Sequence, residues 1–319
     1  MTLEEFKIEY LSDKEYVSVK TSGSTGLSKV YEISKTKFKR SALKTIAYFD
    51  LQPGSQVLLC MSLDYIAGKM MVVRALEGDL NIIEVAPQIN PLKDLDRCID
   101  FVAMLPMQFK ASAVSDLAKC KLILLGGAPV CDICKAKIKE LSGCTTVFES
   151  FAMTETLSHF AIKNLTKEQA YFECMEGVEV TTDNRSCLAV RVDGITDGYI
   201  QTNDIVQLSD NGFEWKGRYD FLINSGGVKI IPEELELFLN SNSELLKGRN
   251  FFMTGIADSK LGQKLVFVVE GEVIDLSQDW IEIKKTFGAY KVPKEVYFLP
   301  SFVYTSNGKL DRLKTISLI

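Results

Sequence analysis

The chain has one histidine, His159, and that scarcity closes off much metal chemistry. The eight cysteines (Cys60, Cys98, Cys120, Cys131, Cys134, Cys144, Cys174 and Cys187) are scattered. Cys131 and Cys134 make one C-x-x-C with no second pair, so a zinc site lacks ligands and a plain helix-face reading is expected. Reduced thiols in a cytoplasmic protein follow from the same pattern. No apolar run reaches spanning length, and Met1 to Tyr10 carries no apolar leader core, so neither membrane insertion nor secretion is expected. The net charge is −5 and the basic residues are spread out, which argues against a nucleic-acid surface. G-x-G-x-x-G and G-x-x-x-x-G-K-[ST] are both missing, as are internal repeats and low-complexity tracts.

What is there is an ordinary globular balance, 46% hydrophobic and 25% charged, over 319 residues. That length suggests two domains or one large domain with an appendage. Ser34 is placed to cap a helix carrying Phe38, Ala42, Ile46 and Phe49 on one face, ended by Pro53-Gly54. Val57–Met61 and Ile82–Val85 read as strands around a helix over Gly68–Ala75. Phe101–Met104 and Leu122–Leu125 are continuous apolar runs, typical of strands covered on both faces. The second runs straight into Gly126-Gly127-Ala128-Pro129, a tight turn or a ligand crevice at a strand end. After residue 185 short strands with Gly and Asp turns predict a small β-subdomain. Pro232, Glu233 and Glu234 then open a helix with Leu235, Phe238 and Leu239 inward. A hairpin, Phe251–Ile256 and Leu265–Val269, and a helix with Trp280, Ile283 and Phe287 complete an α+β unit.

Five segments carry chemistry. Thr21-Ser22-Gly23-Ser24-Thr25-Gly26-Leu27-Ser28-Lys29 has the glycines, hydroxyls and cation to wrap a polyphosphate, though such runs are often plain surface loops. Ser150-Phe151-Ala152-Met153-Thr154-Glu155-Thr156 offers a ring to stack on a purine and a carboxylate for Mg²⁺. Gly198 to Asp204 ends in an aspartate suited to ribose hydroxyls. Gly217 to Glu236 is the longest, and Thr305 to Arg312 carries a lysine on a turn. Singly, each reads as solvated surface.

In this order the five resemble the adenylate-forming, AMP-binding superfamily of acyl-CoA synthetases, peptide-synthetase adenylation domains and luciferases. The resemblance runs from Thr21 to Arg312. It implies an α/β fold: a large N-terminal domain over 1–218 with mixed αβαβα-type sheets and a β-subdomain, a hinge at 219–220, and a small mobile α+β domain over 221–319. It implies ATP and CoA as co-substrates, Mg²⁺ as cofactor and a small-molecule carboxylic acid as substrate. Residue by residue, it gives Thr21, Ser22, Gly23, Ser24, Thr25, Gly26 and Lys29 to the ATP phosphates. Gly126, Gly127, Ala128 and Phe151 go to adenine, and Thr154 and Glu155 to the α-phosphate and Mg²⁺. Asp204 and Arg218 go to the ribose, Asp220 to the hinge, Gly226 and Gly227 to the thioester-forming loop, and Lys309 to catalysis. Ala152 and Asn203 stand where the family usually has glycine, and Asn224 where lysine is frequent. Family members also carry a longer segment before the phosphate loop than the 20 residues here, from which a homodimer covering the bare sheet is expected.

Within the superfamily, Leu125–Val130, Asp64–Met71, Thr154–His159 and Ile223–Gly227 look most like the o-succinylbenzoate–CoA ligase subfamily. That acid carries a second carboxylate, which needs a cation or several donors if buried. Lys69, Arg74, Ser158 and His159 are the candidates. Equally, Lys69 and Arg74 read as a solvated helix face and His159 as a structural histidine. A ligase for another aromatic or aliphatic acid, and a non-catalytic nucleotide-binding relative, are the readings left beside it.

Overall fold

The computed structural model describes residues 1–20, 30–141, 143–304 and 310–319. The chain runs through α1 (Leu3–Leu11), β1 (Tyr16–Lys20), β2 (Val30–Ser34), α2 (Lys35–Tyr48), β3 (Gln56–Leu59), α3 (Ile66–Glu77), β4 (Asn81–Glu84) and β5 (Ile99–Met104). Next come α4 (Pro106–Ala111), α5 (Val114–Leu117), β6 (Cys120–Leu125), α6 (Asp132–Glu140), β7 (Thr146–Ala152), β8 (His159–Asn164) and β9 (Phe172–Cys174). Then follow β10 (Val178–Thr182), β11 (Cys187–Val192), β12 (Ile200–Ser209), β13 (Gly212–Arg218), β14 (Ile223–Ser225), β15 (Val228–Ile230) and α7 (Pro232–Asn242). The chain closes with β16 (Phe251–Asp258), β17 (Gly262–Glu270), α8 (Ser277–Phe287), β18 (Glu295–Leu299) and α9 (Arg312–Ile316). Two compact units result. Met1–Thr181, Ala189–Gln201 and Leu208–Glu214 form one; Thr182–Leu188, Thr202–Gln207 and Trp215–Ile319 form the other.

The large sheet has the order β10-β11-β12-β13-β9-β8-β7-β6-β5-β3-β4 among the described residues. Its β4-β3-β5-β6-β7 half is parallel. Parallel strands need crossovers: α3 supplies the one from β3 to β4, α4 and α5 the one from β5 to β6 and α6 the one from β6 to β7, so β5 and β6 are covered on both faces and read as unbroken apolar runs. Alternate residues take opposite faces. Leu58, Val102, Met104, Ile123 and Leu125 pack with Phe109, Leu117, Cys134 and Ile138 from α4, α5 and α6. On the other face Phe101 meets Phe49, just past α2, with ring centroids 5.1 Å apart. α2 starts where expected: the Ser34 hydroxyl accepts from Lys37 N–H at 3.4 Å.

From β7 onward the pairing turns antiparallel, through β8 and β9 to β13. The strands after residue 185 therefore extend the large sheet and make no separate subdomain sheet. β9 would otherwise expose an unpaired edge, and Phe213 opposite Phe172 closes it.

In the second unit β15-β14-β17-β16 form a sheet, with β18 parallel to β17. Leu265, Phe267 and Val269 face Leu235 and Leu239 of α7 and Ile283 of α8. Val266 and Val268 take the opposite face with Phe252 and Phe302. α8 stops at Gly288, whose φ is 94°.

Ile123 sits inside the parallel half, on β6 between β5 and β7, with no exposed surface. Ile123→Ala is expected to cost about 2–5 kcal/mol in urea unfolding. A loss below about 1 kcal/mol would mean that this layer collapses around the gap.

Candidate active site

Two loops emerge side by side at the carboxyl ends of parallel strands β6 and β7, where α/β sheets place ligands. They press together closely. The Ser150 hydroxyl donates to Leu125 O at 3.0 Å, and a Cβ on Gly126 would lie 2.5 Å from that same hydroxyl oxygen. Any larger residue there would have to turn the Ser150 hydroxyl away from Leu125 O. Gly127 and Ala128 follow it at the surface.

Phe151 is the last residue but one of β7, beside a local register shift. Its ring meets Phe160, Phe172 and Phe213 edge-on, with centroids 5.6, 5.2 and 5.1 Å away. The next turn is pinned by Thr156, a buried residue whose hydroxyl lies within hydrogen-bond distance of both the Met153 and Ser158 carbonyls, at 3.1 and 2.9 Å. Ser158 N–H reaches Thr156 O at 2.8 Å, which holds Leu157 between them at φ 67°. A left-handed leucine costs on the order of 1 kcal/mol or more, so the surrounding contacts over-determine this turn. It presents Thr154 and Glu155 to an open cleft of about 480 Å³, shared with Tyr16, Tyr31, Glu32 and Lys37. Glu155 is exposed and makes no ion pair among the described residues.

Behind that turn three of the four acid-binding candidates form one hydrogen-bonded chain. Arg74 Nη2 donates to Ser158 Oγ at 2.7 Å. Ser158 Oγ lies 3.3 Å from His159 Nδ1, and His159 Nε2 lies 3.2 Å from Thr45 Oγ1. The Thr45 hydroxyl spends its proton on Ser41 O at 3.2 Å. Thr45 thus accepts from Nε2–H, while Nδ1 accepts from Ser158. In this arrangement a neutral imidazole gives every member of the chain a partner. Burial and the Arg74 charge hold His159 well below its ordinary value, in keeping with that direction.

Arg74 itself is buried at 3% exposure and has no carboxylate partner among the described residues. Its Nε is buried without any hydrogen-bond partner, and burial pushes its pKa down to about 9. Neither Arg74 nor Lys69 lies on a solvated helix face. Lys69 is buried too, donating to Ser18 O at 2.8 Å with its ammonium 4.9 Å from the Phe6 ring centre.

The second unit gathers another set. Asp204 accepts from Trp215 Nε1–H at 3.0 Å and faces Arg218 Nη1 at 3.6 Å. Arg218 Nη2 and Asn203 Nδ2 both donate to Asp220, at 2.7 and 2.9 Å. Arg185 joins through Asn203 Oδ1 at 3.1 Å. Gly226 and Gly227 form the two-residue turn between β14 and β15, with φ of 59° and 83°. Two positive φ values in such a hairpin are the reason for two glycines. Thr21–Lys29 and Lys309 lie outside the described residues. The strands before and after the first of these pair antiparallel, Lys20 opposite Val30.

Sequence reasoning missed Thr45, Trp215 and Arg185. Thr45 had a signal, since Ser41 and Thr45 are hydroxyls on the helix face that also carries Phe38 and Ala42. Trp215 and Arg185 had none, because their partners sit on neighbouring strands.

No family model matches the chain. An acyl-CoA synthetase (AMP-forming)/AMP-acid ligase II-like protein from Dyadobacter fermentans is similar at 34% identity and a TM-score of 0.65, covering 98% of this chain and 92% of that one. The chain belongs to the AMP-forming acyl-CoA synthetase family. Among curated relatives, the 2-succinylbenzoate–CoA ligase of Staphylococcus epidermidis is 25% identical over 330 residues, or 93% of this chain and 68% of that protein. The fold also matches the o-succinylbenzoate coenzyme A synthetase of Bacillus subtilis, solved with ATP and magnesium ion, at a TM-score of 0.77. Identity there is 18%, with 94% of this chain and 69% of that one covered.

Two predictions follow from the buried chain. An unpaired buried cation is costly, so Arg74→Met is expected to leave the ligand-free protein as stable or more so, by up to about 4 kcal/mol in urea. Clear destabilisation would reveal a partner for the charge. For His159, the unfolded imidazole takes a proton near 6.5 while the folded one resists until well below that. The unfolded state binds more protons across that window, so stability falls as pH drops from about 6.5 through the folded value. His159→Gln is expected to flatten that fall by up to about 1.4 kcal/mol per pH unit. Parallel curves for both proteins would mean that His159 titrates normally.

Proposed function

We propose that this protein is an ATP-dependent acid–CoA ligase that activates o-succinylbenzoate, or an aromatic acid with the same second carboxylate, through an acyl-adenylate. The observation that carries the choice of acid is Arg74, a buried guanidinium with an unused donor and no carboxylate partner among the described residues. A dicarboxylic substrate supplies the missing charge: one carboxylate reacts and the other pairs with Arg74. Ser158 and His159 fix the guanidinium's orientation. Lys69, engaged with Ser18 and Phe6, serves packing of α1 and β1 on α3.

In the first step a carboxylate oxygen attacks the α-phosphorus of ATP and pyrophosphate leaves. Both reactants are anionic, so charge must be neutralised. Glu155 fits a Mg²⁺ ion, being a solvent-facing carboxylate on the cleft with no ion pair among the described residues; such ions keep few protein ligands beside phosphate oxygens. Bound there, Mg²⁺ supplies charge neutralisation at the phosphates. Thr154 donates to the α-phosphate, and Thr21–Lys29 take the β- and γ-phosphates. Phe151 offers adenine a ring held edge-on by three others, beside Gly126, Gly127 and Ala128. Asp204, fixed by Trp215 and Arg218, accepts from the ribose. Lys309 brings its ammonium to the reacting phosphate.

In the second step the CoA thiol attacks the mixed anhydride, giving the thioester and AMP. Asp220 acts as the hinge between the two steps, and the Gly226-Gly227 turn faces the thiol. A cytoplasmic enzyme and a homodimer belong to the same reading. A monomer mass in sedimentation at micromolar concentration would remove the dimer.

The test is AMP and thioester release with ATP, Mg²⁺ and CoA, comparing o-succinylbenzoate, benzoate and a medium-chain fatty acid. Turnover is expected with o-succinylbenzoate alone. Arg74→Met is expected to raise its KM about 10–100-fold, the loss of one charge-assisted contact. Lys309→Ala is expected to abolish adenylate formation. Equal turnover of benzoate, or an unchanged KM in Arg74→Met, would discard this acid and keep the ligase. No turnover despite ATP binding would favour the non-catalytic relative.

A further inference from the structure

Of the one C-x-x-C in the chain, Cys134 lies with Ile138 on the buried face of α6, as the helix-face reading expects, while Cys131 stands at the helix start outside that face. Cys131 is the N-cap residue of α6, and α6 is the crossover helix between parallel strands β6 and β7. Cys131 is exposed, while Cys134, one turn along, is buried. Their sulfurs lie 3.5 Å apart, and Cys134 Sγ is also 3.5 Å from Pro106 O. An exposed thiol followed by a buried one, at the start of a helix in a βαβ unit, is the arrangement of thiol–disulfide exchange proteins.

We propose that Cys131 and Cys134 form a redox-active dithiol, Cys131 being the attacking thiol and Cys134 the resolving one, with low-molecular-weight disulfides as the reaction partner. The surroundings support this division of labour. The Cys134 S–H, backbone N–H groups of the first helical turn and the Lys110 charge stabilise a Cys131 thiolate, bringing its pKa down to about 5. Cys134 is pushed far up by donating to Cys131 and by burial, so it keeps its proton while Cys131 carries the charge. Asp132 is the one acid in that first turn, and it is paired with Lys135 at 3.0 Å.

The steps balance as follows. The Cys131 thiolate attacks a disulfide RSSR, forming Cys131–S–SR and releasing RS⁻. That discharges the group holding the Cys134 proton. Cys134 loses its proton to solvent, its thiolate attacks the Cys131 sulfur, and a second RS⁻ leaves. Two electrons pass from the pair to RSSR, and two thiols and one Cys131–Cys134 disulfide result. The sulfurs must close from 3.5 Å to about 2.05 Å, a shift within reach of an N-cap side chain. Cys131 follows Gly126–Val130 directly, so oxidation tugs on the loop assigned above to adenine. The redox chemistry itself does not depend on that assignment.

The full chain is incubated in glutathione/glutathione disulfide buffers, quenched with acid and mapped by differential alkylation and mass spectrometry. Cys98 and Cys144, also exposed, are internal controls. The expected result is a dithiothreitol-reversible 131–134 disulfide, formed in mixed redox buffer. Cys131 is expected to alkylate about five- to tenfold faster than either control at pH 6. Cys134→Ser is expected to trap glutathione on Cys131, and Cys131→Ser to leave Cys134 unmodified. Absence of the linked peptide even in glutathione disulfide alone would overturn the proposal. So would Cys98 or Cys144 reacting as fast as Cys131, measured on the unmodified chain.

Discussion

A guanidinium with no counter-charge among the described residues sets the terms for the first unit. Arg74 is enclosed by α3 and the turn after β7, and it is held by a neutral hydroxyl where a carboxylate would have been cheaper. Around it the structure places only groups that orient: Ser158, then a histidine kept neutral, then Thr45 on α2. Each member can point its proton in one direction only. The result links two helices and the loop carrying Thr154 and Glu155 into one rigid arrangement, at a standing cost in stability.

That cost explains the shape of the neighbourhood. The turn carrying Glu155 includes a leucine in a left-handed conformation, tolerable because Thr156 beneath it is buried and fully bonded. Strain and buried charge accumulate at one end of the sheet, while the layers on either side of β5 and β6 are regular and apolar. Proteins concentrate such compromises where ligands act.

Much of the architecture was legible in the sequence, because its signals are local. Unbroken runs such as Leu122–Leu125 announce buried parallel strands, and Ser34, Pro232 and Gly288 mark helix ends through backbone chemistry that no tertiary contact overrides. Motif order made the family legible as well. The destiny of β11–β13 was not, since short strands with Gly turns look alike whether they form their own sheet or extend another; only the open edge of β9 decides it. At the site, Arg74 and Ser158 stand 84 residues apart and nothing in either neighbourhood announces the other. Arg218 was named beside Asp204 from the motifs, but Trp215 escaped notice because it meets Asp204 across the neighbouring strands β12 and β13. Cys131 and Cys134 show the converse: the spacing was plain, but its meaning depends on which sulfur is buried.

The phenylalanine cluster around Phe151 has a consequence for how the protein is made. Phe151 and Phe160 leave the ribosome on adjacent strands, but Phe172 and Phe213 complete the walls later, and Phe213 arrives only once β10 to β12 have been synthesised. The parallel half of the sheet has all its pairing partners long before then. A nascent chain therefore has every strand of that half before the last ring of the cluster is made, and the cluster is complete only once β13 pairs with β9.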